Sequence, residues 1–127
     1  MKKLLPILLA ALLLAGCAAP AAENSYRQIS MTDAVTMMEE ENGYIILDVR
    51  TPEEFAQRHI PGAVNVPNET ISTEEIPELP DKNQLILVYC RSGNRSKQAS
   101  EKLAALGYTN IVEFGGIKDW PGETVTE

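Results

Sequence analysis

The chain has 127 residues, 44% hydrophobic and 23% charged, with 11 basic and 18 acidic residues for a net charge of −7. That length fits one domain and excludes two ordinary ones, and the composition excludes a disordered or fibrous chain. The acidic balance argues against nucleic acid or an anionic lipid surface as the main partner.

Met1-Lys2-Lys3 is a basic start, followed by an apolar run over 4–14 broken by Pro6, and then by small residues up to Cys17. The run is shorter than the roughly 20 apolar residues that span a bilayer, and its basic–apolar–small order is that of a secretory signal. Leu14-Ala15-Gly16-Cys17 resembles the lipobox of bacterial lipoproteins. The resemblance implies cleavage before Cys17, lipidation of Cys17 and attachment to a membrane through acyl chains. Because Ala18 follows, a Gram-negative cell would carry the protein on the outer membrane facing the periplasm. A Gram-positive cell would carry it on the outer face of the cell membrane. Three parts are expected: a signal over 1–16, a lipid anchor and flexible tether over 17–25, and a folded domain over 26–127. Residues 1–16 hold two lysines and no acid, so the remainder has 9 basic against 18 acidic residues, net −9.

A short first strand is expected over 26–29. Ser30 then reads as an N-cap, and Met31, Ala34, Val35 and Met38 recur at helical spacing until Asn42-Gly43 stops the helix. Residues 44–49 are a near-continuous apolar run rich in β-branched side chains, as in a strand covered on both faces of a parallel sheet. Thr51, Pro52 and Glu54 form a capping-box start for a short helix that ends near His59, before Ile60-Pro61-Gly62. Another short strand is expected over 63–66. Residues 68–84 are acidic and broken by Pro77 and Pro80, with a short helix expected over 73–76 and a turn at 81–83. Residues 85–89 are a strong strand, and Cys90 stands at its C-terminal end. A polar loop leads to a helix from about Arg95 to Leu106, stopped by Gly107. A last strand over 110–114 and one helical turn over 117–120 follow. Strands and helices alternate, so the class is α/β with a mainly parallel sheet. Sites in such sheets gather beyond the carboxyl ends of the strands, where Cys90 lies.

With Cys17 lipidated, Cys90 is the only thiol of the folded part, so no internal disulfide can form. Such a cysteine is either a small buried hydrophobe or a reactive thiol. Its setting favours reactivity. Gly93 allows the loop to turn its N–H groups inward as an anion-binding nest. The following helix adds free N–H groups and the positive end of its dipole. Arg91 and Arg95, with Lys97 nearby, form the densest basic cluster of the chain. These features together bring the Cys90 pKa below the free value of about 8.5.

Cys90-Arg91-Ser92-Gly93-Asn94-Arg95-Ser96 resembles the active-site loop of the rhodanese family. Leu47-Asp48-Val49-Arg50 followed by Pro52-Glu53-Glu54-Phe55 is similar to the family's first signature, and the run over 59–67 that opens on His59 is similar to its second. Phe114-Gly115-Gly116-Ile117 with Trp120 resembles its C-terminal segment. The resemblance spans about residues 27–121 and is to the small single-domain bacterial thiosulfate sulfurtransferases. It implies a five-stranded parallel sheet flanked by helices, a monomer, and covalent catalysis in two half-reactions. Cys90 would take the outer sulfur of thiosulfate or a related donor as a persulfide, and cyanide or a thiol acceptor would remove it. Arg91, Ser92, Gly93, Asn94 and Arg95 would bind substrate, with Arg95 on the sulfonate and Arg91 at the mouth. No metal and no organic cofactor is implied.

Asp48, Arg50 and Ser96 are read as supporting residues: Asp48 holding backbone N–H groups, Arg50 paired with a carboxylate such as Glu54. His59, the one histidine, is read as a packing and hydrogen-bonding residue. A rival reading makes Cys90 a sulfur carrier with little turnover on thiosulfate. A phosphatase or arsenate reductase is disfavoured, because protein tyrosine phosphatases place five residues between Cys and Arg, whereas four lie between Cys90 and Arg95.

Overall fold

The computed structural model describes residues 25–126. The expected signal, Cys17 and all of the tether before Ser25 lie outside the described residues. Five strands, β1 (Arg27–Gln28), β2 (Ile45–Asp48), β3 (Val64–Asn65), β4 (Ile86–Cys90) and β5 (Ile111–Gly116), form one sheet in the order β1-β5-β4-β2-β3. Every pairing is parallel, which agrees with the expected class and strand number. Three helices, α1 (Met31–Glu40), α2 (Pro52–Gln57) and α3 (Asn94–Ala105), make the crossovers with the loop between β3 and β4.

β4 is central because all five of its residues are buried, and strand alternation assigns them to two cores. Ile86, Val88 and Cys90 share one core with Leu47, Val49, Ile111 and, from α3, Ala99 and Leu103. Leu87 and Tyr89 face the other core with Ile46, Val112, Phe114 and, from α1, Ala34. The helix starts follow the sequence signals. Ser30 Oγ accepts the Asp33 N–H at 3.0 Å. Thr51 and Glu54 close a reciprocal capping box with Pro52 in the first turn.

One expected element is absent. Residues 73–76 form no helix, and the one helical turn between β3 and β4 is a 3-10 turn at Asn68–Thr70. The buried anchors of this stretch are Ile71, Ile76 and Leu79. Their spacing of five and three residues does not keep them on one helical face, and the Leu79 N–H bonds the Ile76 carbonyl in a tight turn instead. A 3-10 turn at Ile117–Asp119 fulfils the last expectation.

Candidate active site

Cys90 is the last residue of β4, 1% exposed, with its side chain on the α3 side of the sheet. The chain then turns through Arg91, Ser92 and Gly93 into α3. Gly93 stands at the N-cap with φ 115°, a left-handed conformation that favours glycine, and no side chain caps the helix. The sulfur takes that place: Cys90 Sγ accepts the Gly93 N–H at 3.0 Å and lies 3.5 Å from Ser96 Oγ. Burial pushes the thiol up. The Ser96 hydroxyl and the N–H groups of Ser96, Gly93 and Ser92 outweigh it and bring the thiol below its ordinary value. The direction is the expected one, and of the expected contributors the nest of donors supplies it rather than the arginines.

The arginines have other partners. Arg95 makes a two-pronged ion pair with Glu54, Nη1 to Oε1 at 2.7 Å and Nη2 to Oε2 at 3.1 Å. Arg95 is therefore not the open cation expected to meet a sulfonate; it ties the first turn of α3 to the first turn of α2. Arg50 pairs with Asp48 and not with Glu54. Two residues apart on an extended chain, they share a side of the sheet. Asp48 accepts the Arg50 backbone N–H at 2.9 Å, as expected of it, and also Arg50 Nε, Arg50 Nη2 and the Tyr89 hydroxyl. Both residues are buried, and Arg50 lines one cleft with Arg91.

Glu54 is held at about 2, first by Arg95 and then by Thr51 against the opposing effect of burial. Its folded value is depressed from 4.5, so its contribution to stability is complete above that value and disappears as pH falls toward 2. The pair is partly exposed to water, which screens it. Glu54→Gln is expected to cost about 1 kcal/mol at pH 7 and only a small part of that near pH 2, where the carboxyl is half protonated. Urea unfolding of both proteins at the two pH values checks this; an equal difference at both would contradict it.

Arg91 and Ser92 are exposed on the loop and Asn94 is exposed at the start of α3. Arg91 joins none of the ion pairs among the described residues. It lines a cleft of about 270 Å³ with Arg58, Lys118 and Glu54. Since Arg95 neutralises Glu54, this cleft is cationic beside the loop. His59 is packed as expected: its Nδ1 lies 2.8 Å from the Phe55 carbonyl and its ring stacks on Phe55 at 3.6 Å. No cluster suited to a metal ion occurs among the described residues.

Two site residues were not singled out from sequence. Gly116 pairs with Cys90 across the sheet, and a Cβ there would overlap the Arg91 carbonyl and lie 2.5 Å from Ser92 N. Glu113 on β5 is 3% exposed beneath α3, and its Oε2 lies 2.5 Å from Ser96 Oγ. The signal for Glu113 was present: strand alternation puts it on the same side as Ile111, facing α3 rather than water.

The chain is similar to proteins already known. A family model described as the rhodanese-like domain matches residues 30–123. Thiosulfate sulfurtransferase PspE of Escherichia coli (strain K12) is 42% identical over 73 residues, 58% of this chain and 70% of that one. Thiosulfate sulfurtransferase GlpE of Pseudomonas entomophila (strain L48) is 30% identical over 106 residues, 80% of this chain and 94% of that one. Among solved structures, a rhodanese with anions from E. coli superposes with a TM-score of 0.60 at 38% identity, covering 66% of this chain and 99% of that one. The match over most of the chain, on a five-stranded parallel sheet with the cysteine loop at its centre, places the chain in the rhodanese-like domain family.

Proposed function

We propose that the protein transfers sulfane sulfur from thiosulfate, or a similar anionic donor, to a thiophilic acceptor through a persulfide on Cys90. The observation that carries the reading is the nest of N–H groups around a buried thiol at the end of the central strand. In the first half-reaction the Cys90 thiolate bonds to the outer sulfur of thiosulfate. The donor's S–S bond breaks, and sulfite leaves with the electron pair. In the second, cyanide or a thiolate takes the outer sulfur and Cys90 departs as thiolate. Charge is conserved in both steps, and the same N–H groups hold the negative sulfur in each state. The names of the similar thiosulfate sulfurtransferases support the donor class.

The anionic end of the donor fits the cleft lined by Arg58, Arg91 and Lys118. Arg91→Ala is expected to raise KM for thiosulfate about fivefold with kcat little changed, the effect shrinking as salt is added. An unchanged KM at low salt would remove Arg91 from the binding role.

The function is tested by steady-state turnover with thiosulfate and cyanide, combined with intact mass after thiosulfate alone. The expected result is gain of one sulfur atom on Cys90 and catalytic release of thiocyanate. Sulfur loading with negligible turnover would favour a carrier. No loading from thiosulfate or any other sulfane donor would overturn the reading.

A further inference from the structure

Glu113 is a buried carboxylate that takes part in none of the ion pairs among the described residues. An uncompensated buried charge is costly, and such groups tend to be neutralised or used. Its Oε2 has two contacts, the Gly115 N–H at 3.0 Å and Ser96 Oγ at 2.5 Å. Ser96 Oγ in turn lies 3.5 Å from Cys90 Sγ, 3.0 Å from the Gly93 carbonyl and 3.5 Å from the Gly115 carbonyl. The serine has one proton to give. Two oxygens 2.5 Å apart need a proton between them. If Glu113 is ionised, Ser96 donates to it and offers the sulfur only a lone pair, which suits a thiol. If Ser96 donates to a thiolate, Glu113 must supply the proton between the two oxygens. The arrangement therefore has two matched states: thiol with carboxylate, and thiolate with carboxylic acid.

We propose that Glu113, acting through Ser96, accepts the proton of the Cys90 thiol. The S–H bond breaks and its electron pair stays on Sγ. The proton passes to Ser96 Oγ as the Ser96 hydroxyl proton passes to Glu113 Oε2. One negative charge is present before and after, so the buried site never carries thiolate and carboxylate together, separated by a single hydroxyl. The persulfide anion benefits in the same way. Glu113 also lines a groove of about 300 Å³ on the β1 side of the loop, with Ser92, Gly93, Lys97 and Asp119. The titratable groups facing Glu113 are Cys90 on β4, Lys97 on α3, Asp119 in the turn after β5, and the Tyr26 phenol before β1. Glu113 is a positioning residue here, since it reaches the sulfur only through Ser96.

The inference takes Cys90 as the nucleophile, as in the proposed function, but its test needs no sulfur donor. The rate of Cys90 alkylation by iodoacetamide is measured against pH in the full chain, for the wild type, Glu113→Gln and Ser96→Ala. A coupled pair gives the wild type a plateau on the acid side of the thiol titration, because one shared proton leaves a constant fraction of thiolate. Over two pH units there, the wild-type rate should change less than about threefold, while Glu113→Gln should fall about 100-fold, tenfold per unit. Ser96→Ala should lose the plateau as well. Gln retains an acceptor for the Gly115 N–H, and thermal melting verifies its fold. A wild-type curve with a single slope and no plateau overturns the proposal without any variant. So does a plateau that survives in Glu113→Gln. Absence of thiosulfate turnover would count against the proposed function and leave the plateau still readable.

Discussion

Cys90→Ser is expected to abolish turnover, lowering kcat/KM for thiosulfate at least about 10,000-fold, the scale seen when a covalent nucleophile is removed. The hydroxyl that replaces the thiol is not ionised near neutral pH, so no donor of hydrogen bonds can make it the attacking anion. A persulfide cannot form on oxygen, and intact mass after thiosulfate should show no added sulfur. The fold should survive, because the serine oxygen can still accept the Gly93 N–H that the sulfur accepts at 3.0 Å. A urea midpoint close to that of the wild type therefore belongs to the expected result. Residual turnover within tenfold of the wild type would remove Cys90 from the chemistry and take the proposed function with it.

Gly116→Ala should damage both stability and activity without touching a polar group. The added methyl would enter the Arg91 carbonyl and approach Ser92 N to 2.5 Å, both of them backbone atoms of the cysteine loop. Backbone cannot rotate aside as a long side chain does. Either β5 or the loop must move, and the Lys118 N–H that bonds the Arg91 carbonyl at 3.3 Å would move with it. Overpacking of this kind is expected to cost about 3 kcal/mol. A displaced loop misaims the N–H groups that hold the sulfur, so kcat/KM should drop about 100-fold. Urea unfolding and steady-state rates check the two effects separately. Wild-type values for both would show that the loop has room the close approach denies.

The parts of the structure legible from sequence are those governed by neighbours along the chain. β2 and β4 announce themselves as continuous apolar runs because both faces of a central parallel strand are covered. α2 is announced by Thr51, Pro52 and Glu54, which cap it by contacts within one turn. Cys90 was legible because a strand end, a glycine and a helix start follow one another. What sequence did not reveal are pairings between distant segments. Glu54 had a sufficient local role in its capping box, and nothing local shows that its carboxylate also reaches Arg95, 41 residues away. Arg50 was misassigned because Glu54 seemed available, although Asp48, two residues back on the same side of the strand, was the nearer partner. The thiol's acidity was legible in direction from the N–H nest that Gly93 permits and from the helix start, but not the part played by the Ser96 hydroxyl, which depends on how the first turn of α3 is placed against the sulfur.

The cradle around the sulfur comes from residues 90–96, a single uninterrupted stretch. Its shape is imposed from outside by Gly116 below, Glu54 beside and Glu113 beneath. A graft of those seven residues onto another strand-to-helix junction would carry the letters of the loop but not its walls. Transplanting the chemistry requires moving three distant positions as well. For the same reason, a longer loop cannot be installed here by insertion alone: the floor at Gly116 would have to be rebuilt to receive it.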